Sequence, residues 1–150
     1  MNINVCYLLA FVIGAGLSVQ IGLNSQLRVG LGSPVMAALA SFVVGIVVLF
    51  TLAFVFQRQQ SMDALAAVKN IPWYNWMGGF LGAFYVAGVV FIAPRIGVAN
   101  TTALVVAGQL LVALVLDHFG VLGFMQQTLT LMRALGVCVL VIGVMLILRN

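Results

Sequence analysis

The sequence predicts an all-α integral membrane protein with five transmembrane helices in each chain. Of its 150 residues, 65% are hydrophobic and 5% are charged, whereas soluble domains carry roughly 25% charged residues. So few charges cannot cover the surface of a water-soluble globule. The apolar residues form five continuous stretches of about the 20 residues that a helix needs to cross a bilayer. These stretches do not alternate between apolar and polar residues, as the strands of a membrane barrel do.

The five predicted helices form a single domain that occupies the whole chain, and they cover residues 5–23, 34–56, 73–93, 97–116 and 131–148. Pro34 suits the first turn of the second helix. An aromatic cluster of Trp73, Tyr74 and Trp76 marks a membrane interface at the start of the third, and Pro94 is expected to stop that helix. The first helix is interpreted as retained, and not as a signal peptide, because it lacks the basic leader and the small-residue cleavage site.

The connection between the second and third helices, residues 57–72, is the longest in the chain. Ser61 is a candidate N-cap residue. We therefore predict a short surface helix that begins near Ser61 and includes residues 62–69.

Small residues recur at a spacing of four in several of the predicted helices. One such series is Gly14, Ser18 and Gly22 in the first helix. This spacing lets two helix backbones approach closely in a membrane. Glycine is also frequent in membrane helices generally, so the series are compatible both with helix–helix interfaces and with ordinary composition.

The basic residues divide evenly between the two sides of the membrane. Five spans place Arg58, Lys69 and Arg133 on the side of the N-terminus, and they place three arginines on the other side: Arg28, Arg95 and Arg149. The positive-inside rule therefore favours neither orientation. Identical chains that insert both ways can pair as an antiparallel homodimer, which has the inverted symmetry of many transporters. A single orientation set by other factors remains the alternative.

Polar side chains at membrane depth are the candidates for a binding site. Six of them are predicted to line the path of a small-molecule substrate: Gln20, Asn24, Ser41, Asn100, Thr101 and Gln109. Each also has a structural interpretation. Threonine hydroxyls bond back to their own helix, and an amide such as that of Gln109 can join two helices. Arg28 lies one turn beyond Asn24, while Asp117 and His118 are expected at the membrane interface.

Other classes of function find little support in the sequence. No carboxylate lies in the middle third of a predicted helix, where a proton-coupled cation exporter usually keeps one. We predict no metal site, no cofactor and no catalytic residue, since neither metal-ligand clusters nor a Ser/His/Asp arrangement is present. The six scattered Lys and Arg do not form a basic run, so a nucleic-acid partner is not expected. Cys6 and Cys138 are interpreted as small apolar side chains and not as a redox pair.

Four segments of the sequence have distinctive motifs: the stretch from Trp73 to Ala83, Ala93-Pro-Arg-Ile-Gly97, Gly108-Gln109 followed by Asp117-His-Phe-Gly120, and Arg133-Ala-Leu-Gly-Val. These segments resemble the YdcZ-type (DUF606) family of the drug/metabolite transporter superfamily. The resemblance covers essentially the whole chain. It implies a five-helix half-unit related to the repeat of ten-helix transporters. It also implies that members occur as dual-topology proteins, as oppositely biased pairs or as fusions.

These observations lead to one predicted function and one alternative. The first is a small-molecule transporter of the inner membrane that works by alternating access, as an antiparallel homodimer of ten helices in contact with membrane lipid. The alternative is a non-transporting accessory or structural membrane subunit, in which the polar groups only hold helices together.

Overall fold

The computed structural model describes residues 2–56, 64, 67–123 and 125–149, and within these ranges the chain is helical and contains no strand. Its long helices are α1 (Ile3–Leu31), α2 (Pro34–Phe56), α3 (Met77–Ile96), α4 (Val98–Phe119) and α5 (Leu131–Leu148). Two short 3₁₀ helices, Val68–Asn70 and Trp73–Trp76, precede α3. Five spans of the described chain are long and apolar enough to cross a membrane, the third running from Trp73 to Ile96. The predicted fold class is thereby confirmed.

The predicted surface helix near Ser61 falls mostly outside the described residues, and so do Arg58 and Asp63. Lys69, at the end of that prediction, belongs to the 3₁₀ helix Val68–Asn70.

Helix α1 extends eight residues beyond the predicted end at residue 23, to Leu31. The apolar run ends there, but the polar residues that follow are compatible with a helix, and the backbone turns only at Gly32. Gly32 has φ 68°, the left-handed conformation that glycine adopts without strain at a helix C-terminus. Because of this extension, Gln20, Asn24 and Arg28 lie on one continuous helix.

The prediction that Pro94 stops the third helix is wrong, because α3 includes Pro94 and ends at Ile96. Proline lacks the N–H that would donate to the carbonyl of residue 90, and its ring disfavours the helical conformation at the residue before it. Only two residues of α3 follow Pro94, so the helix loses little by containing it. The chain turns at Gly97, where φ is 88°.

The chain divides into two compact units, Met1–Pro94 and Arg95–Asn150. In the first unit α1 packs on α2. Its core joins two small residues of α2, Ala37 and Ala38, to Val86 and Val90 of α3. The small alanine side chains let the valines of α3 approach the α2 backbone, which is the packing expected of helices in a membrane.

In the second unit α4 packs on α5. Thr130 caps the N-terminus of α5, since its hydroxyl accepts a hydrogen bond from the backbone N–H of Arg133 at 3.3 Å. At the other end of the connection, α4 ends at Gly120, which has φ 60°. A Cβ atom at Gly120 would lie 3.0 Å from the Cβ of Gln126, so glycine is required there for space as well as for conformation.

Apolar side chains cover the outside of the described helices. Phe11 is 75% exposed and Phe50 is 71% exposed, and both lie within spans. In water such a surface would be costly, at about 25 cal/mol for each Å². In a bilayer it is the surface that contacts lipid tails or another helix, which agrees with an integral membrane protein.

Candidate functional site

A polar stripe runs along the C-terminal half of α1. Gln20, Asn24 and Arg28 follow each other at a spacing of four, which places them on one face of the helix. Asn24 is buried, with 6% of its surface exposed, whereas Gln20 and Arg28 are half-buried. The Nε atom of Arg28 is buried and has no hydrogen-bond partner in the described chain. Buried donors normally have a partner, so this stripe retains unused hydrogen-bonding capacity.

A groove of about 210 Å³ lies beside this stripe in the first unit. The polar side chains that line it are Gln20 of α1 and Ser41 of α2. Its other lining residues are apolar or small and come from α2 and α3: Phe42, Gly45, Ile46, Leu49 and Val86. The groove therefore combines one amide and one hydroxyl with an apolar wall, which is the usual composition of a small-molecule site.

The groove lies near the middle of the spans that form it. Gly45 is the central residue of α2 (Pro34–Phe56), and Ser41 precedes it by one turn. A Cβ atom placed on Gly45 would meet nothing within 4 Å, so the absence of a side chain there leaves open space. Substrate sites of transporters with inverted repeats also lie near the membrane midplane.

The three predicted site residues of the second unit lie on α4. Asn100 is half-buried, and Thr101 is 2% exposed. The Thr101 hydroxyl donates to the backbone carbonyl of Gly97 at 2.8 Å, which is the back-bonding that the structural interpretation expects. The neighbouring hydroxyl of Thr102 is buried and has no hydrogen-bond partner in the described chain.

Gln109 is exposed at the middle of α4 (Val98–Phe119). An amide that faces hydrocarbon without a partner costs several kcal/mol. Its exposure on the isolated chain indicates that another chain, water or a solute meets it in the membrane.

The structure thus brings Gln20 and Ser41 together in one groove and places Asn24 one turn from Gln20. The hypothesis that all six residues line a single path is not tested by this arrangement and stays a prediction.

A second polar cluster connects the facing ends of α4 and α5, and the sequence did not reveal it as a cluster. Asp117 forms an ion pair with Arg133 at 3.5 Å, and its backbone carbonyl accepts from the N–H of Gln127 at 2.7 Å. Arg133 also donates to the side-chain oxygen of Gln127. The ring Nδ1 of His118 accepts from the N–H of Leu129 at 3.2 Å.

This cluster borders a cavity of about 400 Å³ lined by Gln126, Gln127, Thr128, Thr130 and Arg133. Its charged groups bond to one another, so its evident role is to hold the loop between α4 and α5. The adjacent pair Gln126-Gln127, three residues before the capping Thr130, was the available sequence signal. Asp117 and His118 lie in the last turn of α4, since that helix continues to Phe119.

In the described part of the chain, no three His, Cys, Asp or Glu side chains come together as metal ligands. Cys6 and Cys138 both carry free thiols.

Five apolar spans define the class as an integral membrane protein. The chain belongs to the YdcZ family, described as "Putative inner membrane exporter, YdcZ", whose pattern matches residues 5–146. The protein is accordingly located in the inner membrane, and its family has a transport role.

One relative is the inner membrane protein YdcZ of Escherichia coli (strain K12). It is 30% identical over 142 residues, which are 95% of each chain. The similarity therefore includes all five spans and is not confined to one motif. No solved structure matches the chain.

Proposed function

We propose that this protein exports a small molecule by alternating access and that it works as a dual-topology antiparallel homodimer. The observation that carries the proposal is the groove of Gln20 and Ser41 near the membrane midplane. An amide and a hydroxyl in an apolar wall can orient a small solute by a few hydrogen bonds. The description of the family as an exporter supports the outward direction.

Two further observations support the dimer. The basic side chains of the loops are balanced three against three, so neither orientation is favoured. The exposed amide of Gln109 needs a polar partner at membrane depth. A second chain of opposite orientation supplies one, because a residue at the middle of a span keeps its depth when the chain is inverted, so the two Gln109 side chains lie at the same level. Gln109 then contributes to the path from both copies.

The substitution Gln109→Ala tests this assignment. It removes the amide from the path but leaves an apolar surface that still packs, so we expect export to be lost and dimerisation to persist. Liposomes that contain the purified protein are loaded with a panel of three solutes: benzenesulfonate, benzyltrimethylammonium and phenyl glucoside. The release of each solute from the liposomes is measured by mass spectrometry. We expect release by the variant to fall by about tenfold or more, the effect of losing ~1.4 kcal/mol of interaction.

The matched control is Val106→Ala, a truncation of an exposed apolar residue of the same helix, which should leave release unchanged. Wild-type release at the rate of protein-free liposomes for every solute in the panel, together with co-purification of one fixed partner protein, would instead favour the accessory subunit.

A further inference from the structure

Arg28 is a half-buried cation in the last turn of α1 whose Nε atom is shielded from solvent. That Nε has no hydrogen-bond partner in the described chain. A buried donor on a charged group is costly when it is left unmatched. Arg133, which is also half-buried, has such partners, because Asp117 and Gln127 both accept from its guanidinium. Arg28 has no equivalent acceptor among the described residues.

The chain offers few carboxylates that could serve Arg28. It contains only two acidic residues, Asp63 and Asp117. Asp117 is engaged with Arg133 at 3.5 Å. Asp63 lies outside the described residues, and the count of spans assigns it to the side of the membrane opposite Arg28. The acceptor for Arg28 therefore lies beyond the described residues of this chain.

The surroundings of Arg28 indicate the form of that acceptor. Side chains on a helix lean towards its N-terminus, which is the direction of Asn24 and then of Gln20. The eight-residue separation of Arg28 and Gln20 corresponds to about 12 Å along the helix axis. Gln20 also lines the groove, so neutral amides connect the groove to the cation along one face.

The lining residues of the groove carry no charge, so the groove itself offers no counter-ion to a charged group of either sign. An apolar group suits its walls of Phe42, Ile46, Leu49 and Val86. An acidic group suits Arg28, because a guanidinium forms paired, charge-assisted hydrogen bonds to carboxylate, sulfonate or phosphate oxygens.

We infer that the first unit binds a small amphiphilic anion, whose acidic group meets Arg28 and whose apolar body enters the groove beside Gln20 and Ser41. That this anion is the exported solute rests on the proposed function. An anionic lipid headgroup offers the same chemistry, and the experiment separates these two sources.

The test compares two permanently charged probes of similar size, benzenesulfonate and benzyltrimethylammonium. Binding is measured by equilibrium dialysis against protein in phosphatidylcholine nanodiscs, with empty nanodiscs subtracted. We expect wild-type protein to bind benzenesulfonate at least about tenfold more tightly than benzyltrimethylammonium. We expect Arg28→Gln to lower the affinity for benzenesulfonate by about the same factor, because a hydrogen bond to a charged group changes an affinity by about one to two powers of ten. Arg28→Lys keeps the charge and should keep the preference for the anion.

Arg149→Gln is the matched control. It removes one positive charge from the side of the membrane to which the span count assigns Arg28, so it changes the charge balance by the same amount as Arg28→Gln does. It leaves the polar stripe of Gln20, Asn24 and Arg28 intact. Its affinity for benzenesulfonate should equal that of the wild type. Equal binding of the two probes by the wild-type protein, or an equal loss of binding in Arg28→Gln and Arg149→Gln, overturns the inference even where one variant folds poorly.

A second series of nanodiscs contains phosphatidylglycerol. If phosphatidylglycerol weakens the binding of benzenesulfonate to the wild-type protein but not to Arg28→Gln, a lipid headgroup occupies the same anion site. If phosphatidylglycerol has no effect on the wild-type protein, the site takes a soluble anion. Either result supports the site. If the liposomes release a panel solute but anion binding is unchanged in Arg28→Gln, this inference is contradicted and the proposed transport function is supported. If anion binding depends on Arg28 but no solute is released, the anion site is supported and the proposed transport function is contradicted.

Discussion

Two variants biased towards opposite orientations are each expected to lose transport and to recover it when they are produced together. Arg149→Gln with Met125→Lys leaves four basic residues on the N-terminal side and two on the other, and Lys69→Gln with Leu31→Lys reverses this balance. The positive-inside rule then fixes each variant in one orientation. An antiparallel dimer needs both orientations, so either variant alone has no partner.

Transport in this experiment is measured as uptake of the solute panel by native membrane vesicles, because reconstitution from detergent mixes the orientations. We expect the uptake rate of vesicles that contain either variant alone to equal that of vesicles without the protein. Vesicles that contain both variants should regain most of the wild-type uptake rate. Met125 is 85% exposed and Leu31 is 44% exposed, so both positions tolerate a polar side chain. Met125→Gln and Leu31→Gln, each without a second change, are the neutral controls and should transport normally. Full activity of one biased variant alone would show that a single orientation suffices.

The substitution Gly45→Leu is expected to block transport while leaving the fold intact. Gly45 lines the groove, and a Cβ atom at this position meets nothing within 4 Å. A leucine side chain can therefore enter the groove without displacing backbone, and it fills much of the 210 Å³ available. We expect release of panel solutes to fall by about tenfold or more, the change produced by ~1.4 kcal/mol of lost binding.

Gly136→Leu is the matched control for this substitution. Gly136 lies on α5, is exposed, and likewise has nothing within 4 Å of a built Cβ. Both changes replace a helical glycine with a good helix former, so their effects on helix stability should be similar. Unaltered release by Gly45→Leu, at a normal unfolding temperature, would remove the groove from the solute path. Equal loss of release in both variants would point to general disruption.

The number of helices could be predicted from the sequence because a helix in lipid must satisfy its own backbone hydrogen bonds over about 20 apolar residues. Pro34 begins α2, as its preference for the first helical turn predicts. Helix α5 also runs between the predicted residues, and the structure adds that Thr130 caps it. The end of α1 was misplaced because hydropathy detects the apolar run, whereas Gly32 ends the helix. Pro94 was misjudged since a proline near a helix end costs little.

The candidate site was less predictable because it depends on how helices pack. The spacing of Gln20, Asn24 and Arg28 predicted the stripe, but only the packing of α1 on α2 brings Gln20 to Ser41. Hydropathy also could not show that Asn24 is buried and Gln109 exposed. The cluster of Asp117 and Arg133 forms across a connection that turns at Gly120, and periodicity carries no information about such a turn.

The orientation of the chains in cells tests the central claim most directly. In a variant with Cys6→Ser and Cys138→Ser, the single new cysteine Met125→Cys lies in the exposed connection between α4 and α5. Intact cells are treated with a membrane-impermeant maleimide, and the labelled fraction is compared with that after permeabilisation. The antiparallel homodimer predicts that about half of the chains are labelled from outside, as balanced insertion requires. Labelling of all the chains or of none from outside would contradict it.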